Sequence, residues 1–391
     1  MPEAVRAAEE PDRKTRPIRV LHLVAWLVAG GPERWIVDLC GQGASEGLDM
    51  EIAVVQDANG VFGDLARLRG IPVYPCPGAG KPLRLIRNLR LLLRAHGPYD
   101  AIHCHLHAFS GFAVLAARLE GVPARVIHAH TVVGNRSLSL ARRMYVLAAR
   151  AMIRMFATAG LAPSEIALED LLGSSWRNDP RWSTLCCGID LEPFRTPIPP
   201  ASSREALGIP ADALVLGSVG RIVEEKNSEF LVDILAAVRK RHSRAYMLLI
   251  GEGPLRERLI AKAGDMGCGD RLVLPGTRSD VPAILRSAMD VFVFPSPLEA
   301  LGIAAVEAQA AGLPTIISDG VPPEAIIVRE LVAQLPVAAG ADKWAEEVLA
   351  RARGRDAISA DRALAIVEQS GANCARSLRT LARLYAGKTP R

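Results

Sequence analysis

Residues Val291–Asp319 read VFVFPSPLEALGIAAVEAQAAGLPTIISD, and this pattern decides the architecture. Val291–Phe294 is a short unbroken apolar run, the mark of a strand buried on both faces. A Pro-Ser-Pro turn follows. Gly302 then opens an Ala-rich helix that Gly312 ends, and Pro314–Ile317 is a second buried strand. Glu299 and Glu307 have seven residues between them. Read as helical steps, that spacing amounts to roughly 12 Å and leaves the carboxylates about 80° apart, broadly on one side. The amides of Ala300–Ile303 lie between them, with the positive end of the helix dipole. A ligand with hydroxyls at both ends and an anion in the middle fits this layout; a nucleotide sugar is one. The plainer alternative is a strand–helix–strand unit with two solvated glutamates.

The segment E-A-L-G-I-A-A-V-E-A-Q-A-A-G-L-P resembles the E-x7-E signature of retaining glycosyltransferases of the GT-B fold, glycosyltransferase family 4. It looks most like the branch that builds exopolysaccharides and capsules. The resemblance implies an α/β protein of two Rossmann-like doubly wound parallel-sheet domains facing a central cleft. Ala300 stands where Gly is usual, and Leu301 where Phe is often seen.

The 391 residues are 50% hydrophobic and 23% charged, enough for two domains with separate cores. A net charge of +5 and 5% aromatic residues argue against nucleic acid as a partner. Seven cysteines without a C-x-x-C pair argue for reduced thiols and a cytoplasmic setting. The polar start, MPEAVRAAEEPDRKTR, lacks the apolar core of a signal peptide, and no stretch is long enough to span a bilayer. The expected division is a disordered tail over 1–17, an acceptor-side domain over 18–195, a nucleotide-sugar domain over 196–366, and a final helix over 367–391 crossing back to the first domain.

Along the chain, strands and helices alternate, which predicts parallel sheets covered on both faces. Strands are expected at Ile18–Ala25, Glu51–Gln56, Ile71–Tyr74, Ala101–Cys104, Arg125–Ala129, Gly160–Ala162 and Trp182–Ile189. The second half adds Leu214–Val219, Tyr246–Ile250 and Arg271–Leu274. The last helical stretch is expected over 357–387. Ala29-Gly30-Gly31-Pro32-Glu33 follows the first strand. Glycines there let backbone approach a phosphate, and Pro32 suits a first helical turn. The resemblance places this loop against the donor phosphates and the acceptor. Gly220-Arg221-Ile222-Val223-Glu224-Glu225-Lys226-Asn227 sits in the corresponding position of the second half. Arg221 and Lys226 can bracket a diphosphate or pair with Glu224 and Glu225 as surface ions. By resemblance, G-R-x-x-x-x-K-N is the donor-diphosphate motif, and Thr277 and Arg278 are candidates beside the base.

His103, His105 and His107 alternate at one strand end, and His128 and His130 at the next. Imidazoles are common metal ligands, but no nearby carboxylate completes a familiar hydrolase set. Hydrogen bonding near substrate is the preferred reading, and no metal is expected. The resemblance puts a sugar-side histidine at His130, with His128 as the alternative. It also supplies the roles: Glu299 at the hexose, Glu307 at the ribose, and Arg221, Lys226, Gly30, Gly31 and the amides of Leu301, Gly302 and Ile303 at the diphosphate. No cofactor or divalent metal is implied. The expected activity is retaining transfer of a hexose, from a UDP-sugar by preference, to a saccharide or lipid-linked acceptor. A sugar-nucleotide epimerase and a silent sugar-nucleotide-binding protein are the alternatives. Cys187-Gly188-Ile189-Asp190 resembles the family hinge, with Cys187 in place of Asn; the turn formers Thr196–Pro200 mark the linker. Two basic amphipathic stretches, 81–94 and 136–154, are solvated faces or peripheral contacts with an anionic membrane.

Overall fold

The computed structural model describes residues 16–28, 30–56, 60–134, 139–354 and 358–388. Residues 1–15 of the expected tail, Ala29 of the first glycine loop, Arg136 of the second basic stretch, and the side chain of Arg142 lie outside the described residues. The first half runs β1 (Ile18–Val24), α1 (Gly31–Gln42), β2 (Leu48–Val54), α2 (Val61–Leu68), β3 (Val73–Pro75), α3 (Pro82–His96), β4 (Ala101–Cys104), α4 (Ser110–Leu119), β5 (Ala124–His128), α5 (Leu140–Phe156), β6 (Ala159–Ala162), α6 (Glu165–Leu172) and β7 (Trp182–Thr184). The second half runs β8 (Leu214–Val219), α7 (Ser228–Arg239), β9 (Ala245–Ile250), α8 (Arg256–Asp265), β10 (Leu272–Val273), α9 (Val281–Ser287), β11 (Val291–Phe294), α10 (Ile303–Ala310), β12 (Thr315–Ser318), β13 (Val332–Leu335), α11 (Ala341–Arg353), α12 (Ala360–Gln369) and α13 (Cys374–Tyr385).

The strands form two separate sheets, ordered β3-β2-β1-β4-β5-β6-β7 and β10-β9-β8-β11-β12-β13. Every pairing is parallel. Strands buried on both faces read as near-continuous apolar runs, and β9 and β11 are buried at every residue. Phe292 and Trp344 are fully buried in the second half, Leu21 and Ile102 in the first. Each such side chain contributes about 1.5–3 kcal/mol. In both sheets the strand order reverses direction once, between β1 and β4 and between β8 and β11. Crevices at such points, outside the carboxyl ends of the strands, are where open α/β sheets take ligands.

The end of the chain differs from the single helix expected over 357–387. It breaks into α12 and α13, where Asn373 accepts the Ala375 N–H at 2.9 Å as the cap of α13. The break lets Ile189 and Asn373 form an isolated parallel bridge, with Ile189 N to Ala372 O at 2.7 Å. Helix α13 packs against α1 of the first half. The strand expected over Trp182–Ile189 is short, and Ile189 pairs with Asn373 at the chain end instead of the sheet. Helices α8 and α9 and the partly exposed edge strand β13 were not foreseen from sequence.

Candidate active site

The four loops that leave β1, β4, β8 and β11 flank the two crevices and carry most of the candidate residues. After β11 the chain does not enter a helix at Ala300. Gly302 takes φ 88°, a left-handed conformation that favours glycine, and α10 begins at Ile303. The first helical bonds are Ala305 N and Val306 N to Gly302 O, so the amides of Leu301–Ala304 precede them at the mouth of the helix. Glu299 therefore lies on the loop, and the helical arithmetic between the two glutamates does not apply. Its N–H donates to Gly320 O at 3.0 Å, and the Lys226 ammonium lies 2.5 Å from its carboxylate. Glu224 and Glu225 do not take that lysine; it reaches across to Glu299 on the loop after β11 instead. Lys226 also stands over the Phe294 ring, 5.6 Å from its centroid.

Asn227, left-handed at φ 52°, ends the Arg221–Lys226 loop and starts α7, while its amide reaches Pro295 O at 3.3 Å. Arg221 is exposed, with no carboxylate at ion-pair distance among the described residues. It lowers the pKa of Glu33 electrostatically; burial dominates there and pushes the Glu33 carboxyl up. The N-terminal glycine loop and the second half thus meet. A Cβ on Gly31 would fall 2.8 Å from Ile303 Cδ1, which shows how closely the first turn of α1 faces the start of α10. Ser164 Oγ donates to Ala300 O at 2.6 Å, and Glu165 N to the Glu324 carboxylate at 2.7 Å, closing the same cleft from α6.

Glu307 lies inside α10 facing α1. Burial raises its carboxyl to about 7; Arg34 opposes the shift and Asp38 reinforces it. The residue keeps partial solvent contact, so the shift reflects the packed surroundings of the carboxyl and not complete enclosure. Asp38 is itself held by Arg34 at 2.8 Å and Arg69 at 2.7 Å. Thr277 is exposed, while Arg278 commits its guanidinium to Asp280, whose carboxyl it holds near 2.

The histidines form one cluster with a member the sequence reading passed over. His22 on β1 joins His103, His105, His128 and His130, and its Nδ1 lies 3.0 Å from His105 Nε2. His105 Nδ1 is 2.7 Å from His130 Nε2, and His130 Nδ1 is 3.4 Å from Cys187 Sγ. His22, His103 and His128 are fully buried; His105 and His130 reach partly to solvent. Burial lowers His22 and His130 to about 3, so the rings stay neutral. The alternation of His103, His105 and His107 from β4 into the loop after it was legible, but His22 stands alone in its strand and carried no signal. His107, also left-handed at φ 51°, leaves the cluster and binds Asp170 at 3.1 Å.

Residues 30–182 match the "Glycosyl transferase 4-like domain" model and residues 201–352 the "Glycosyl transferases group 1" model. The chain is 34% identical to the putative glycosyltransferase EpsF of Bacillus subtilis over 342 residues, 86% of this chain and 88% of that one. It is 30% identical over 251 residues, 61% of this chain and 62% of the other, to the UDP-Gal:alpha-D-GlcNAc-diphosphoundecaprenol alpha-1,3-galactosyltransferase of Escherichia coli. Among solved structures, Anabaena Alr3699/HepE in complex with UDP-glucose superposes with a TM-score of 0.78 at 19% identity, covering 95% of this chain and all of that one. That likeness establishes the two-sheet fold, and the sequence relatives establish the chemistry class. With both crevices opening on one cleft, the chain belongs to the family 4 glycosyltransferases of the GT-B fold.

Proposed function

We propose that this transferase moves a hexose, with retention of anomeric configuration, from a UDP-sugar to a saccharide or lipid-linked saccharide acceptor during cell-surface polysaccharide synthesis. The observation that carries the reading is the contact between Lys226 and Glu299 at the mouth of α10. It joins a cation suited to a leaving diphosphate to an acid suited to the sugar. In the proposed mechanism Lys226 and Arg221 offset charge on the departing diphosphate, together with the amides at Leu301–Ile303. Gly30 and Gly31 let the first half close over it. Glu299 holds hexose hydroxyls and favours the positive charge developing at the anomeric carbon. Glu307 accepts from the ribose hydroxyls. The acceptor oxygen attacks from the face the diphosphate leaves, and its proton passes to a phosphate oxygen. Two fixed cations serve the leaving group, so transfer needs no divalent metal. His130 orients sugar and acceptor, its ring held by His105 and Cys187.

The relatives support this reading by what their names state. The E. coli protein acts on a UDP-galactose donor and an undecaprenol-linked acceptor. A lipid-linked acceptor requires a lipid surface. No helix among the described residues is long and apolar enough to cross a membrane. Helix α5, however, exposes Leu140, Met144, Leu147 and Met155. Their spacing places them on one stripe, with exposed Arg143 and Arg154 beside it. We assign this face to peripheral contact with anionic lipid. Arg90 and Arg94 on α3 are spent on Glu120, so α3 adds less than its composition promised.

Thermal-shift measurement against UDP-, GDP- and ADP-sugars tests the donor. A UDP-sugar at 100 times its dissociation constant should stabilise the protein by about 2.7 kcal/mol. Product analysis tests the reaction: Glu299→Ala should retain UDP binding and lose transfer. Isomerised donor formed without acceptor would instead identify an epimerase.

A further inference from the structure

Five neutral imidazoles packed together are an unusual use of interior space, because each ring nitrogen needs a partner. Here four ring nitrogens have none: His22 Nε2, His103 Nε2 and both nitrogens of His128. The rings lie at the carboxyl ends of β1, β4 and β5, with the fully buried Trp35 edge-on to His105, His128 and His130. In two groups, His22–His103–His105 and His105–His128–His130, one nitrogen from each ring lies within 4.8 Å of the others.

We propose that His22, His103 and His105 bind a divalent transition-metal cation of the zinc class, in a site separate from the donor diphosphate. The outer nitrogens identify which atoms would ligate. His103 Nδ1 is engaged by the Tyr385 hydroxyl at 2.7 Å, which leaves Nε2 for the cation. His105 Nδ1 is engaged by His130 Nε2 at 2.7 Å, which again leaves Nε2. Metal-bound histidines ordinarily fix their second nitrogen by a hydrogen bond, which His103 and His105 have and His22, with Nε2 unpartnered, does not. His22 Nδ1 already faces His105 Nε2 at 3.0 Å. Zinc–nitrogen bonds of about 2.0–2.1 Å in a tetrahedron put ligand nitrogens roughly 3.3 Å apart, so that pair needs little adjustment. His103 Nε2 must move inward to complete the set. The fourth position falls to water or to His128, whose ring centroid is 5.4 Å from that of His103.

The protons balance. Without a cation, His22 Nδ1 and His105 Nε2 share one hydrogen-bonding proton, and in the tautomer where His22 holds it Nδ1–H donates to His105 Nε2. With one, His22 carries its proton on Nε2, an exchange between two neutral tautomers that releases no net proton. Burial keeps the rings neutral, the form that binds metal. An all-imidazole set suits zinc, copper, nickel or cobalt over calcium or magnesium. Through Tyr385, the site would tie α13 to the first sheet.

The test uses the full chain without an affinity tag, stripped by chelator and titrated with Co(II) alone. Saturation at one equivalent with tetrahedral d–d absorption is expected, as is zinc at matching stoichiometry by elemental analysis of unstripped protein. His22→Gln and His103→Gln should each lose the band. Tyr385→Phe should weaken binding by about 10- to 100-fold. His96→Gln, at the exposed end of α3, should bind as the parent does. Failure of the parent chain to saturate below about 10 μM Co(II) overturns the proposal without recourse to any variant. Unchanged binding in both His22→Gln and His103→Gln overturns it as well.

Discussion

Removing Lys226 tests the centre of the proposed mechanism in two ways at once. Its ammonium is 2.5 Å from Glu299, and the side chains are 26% and 10% exposed. Breaking a fully buried pair costs 3–5 kcal/mol; partial exposure of the lysine reduces that here to about 1–3 kcal/mol. Lys226→Ala should accordingly lower the melting temperature of the second half by a few degrees, at about 2–4 °C per kcal/mol for a domain of this size. Turnover should fall further. One lost electrostatic contact to a developing anion costs about 100- to 1,000-fold in kcat. The orphaned Glu299 would then also repel the donor and raise its KM. The double variant Lys226→Ala/Glu299→Gln separates these effects. Neutralising the orphan should recover stability by a coupling of about 0.5–3 kcal/mol, while transfer stays lost. The assay is release of nucleoside diphosphate with acceptor present, alongside calorimetry of all four proteins. A single variant that keeps a tenth or more of parental turnover would falsify the assignment of Lys226 to the leaving group. Additive stabilities would show that the pair is a surface contact only.

Three further outcomes follow from the geometry. Glu307 has a folded-state pKa raised to about 7, so the folded state holds a proton that the unfolded state has lost. Its contribution to stability is fully present below about pH 4.5 and is lost as pH rises through 7, whereas donor affinity, which uses the carboxylate, should rise over pH 6 to 8; titration calorimetry with UDP should show that slope vanish in Glu307→Gln. Gly31→Val would press on Ile303 Cδ1, where even a Cβ comes to 2.8 Å, and should cost tenfold or more in kcat/KM by holding the cleft apart. Adding Ile303→Ala should restore most of it, and a double variant no better than the single would refute the close approach. Replacing Leu140, Met144, Leu147 and Met155 by Ser should abolish sedimentation with phosphatidylglycerol vesicles while leaving turnover on a soluble acceptor intact; vesicle binding that survives removes α5 from the membrane contact.

Much of the fold was legible because buried parallel strands read as near-continuous apolar runs. Ala101–Cys104, Leu214–Val219 and Val291–Phe294 were bounded correctly for that reason. Edge strand β13 was not, since Val332–Leu335 is only partly buried and one of its residues is exposed. The start of α10 at Gly302 was legible, but its positive φ sets it just outside the helix, so the helical count from Glu299 to Glu307 does not hold. The partner of Lys226 could not be read from its own loop. Glu224 and Glu225 are neighbours in sequence, but Glu299, 73 residues away, is the neighbour in space. The same holds for His22, isolated in its strand and brought to His103 by the register of β1 on β4.

That register bears on how the two halves work together. Strands β1 and β4 border the crevice of the first sheet, and pairing them sets His22 directly opposite His103. His103 in turn holds Tyr385 at the end of α13, the helix that packs on α1 after the chain has completed the second sheet. Helix α1 carries Gly31, Arg34 and Asp38 toward α10 and Glu307. The histidine cluster therefore reaches, through Tyr385 and α13, the same helix that carries Arg34 and Asp38 toward Glu307. A change there reaches the proposed diphosphate site through the placement of α1, because Arg221 and Lys226 stand on the other sheet. Loosening the Tyr385 contact should thus raise KM for the donor more than it lowers kcat. Loss of kcat with KM unchanged in Tyr385→Phe would mean that the cluster acts on the chemistry directly and not on closure.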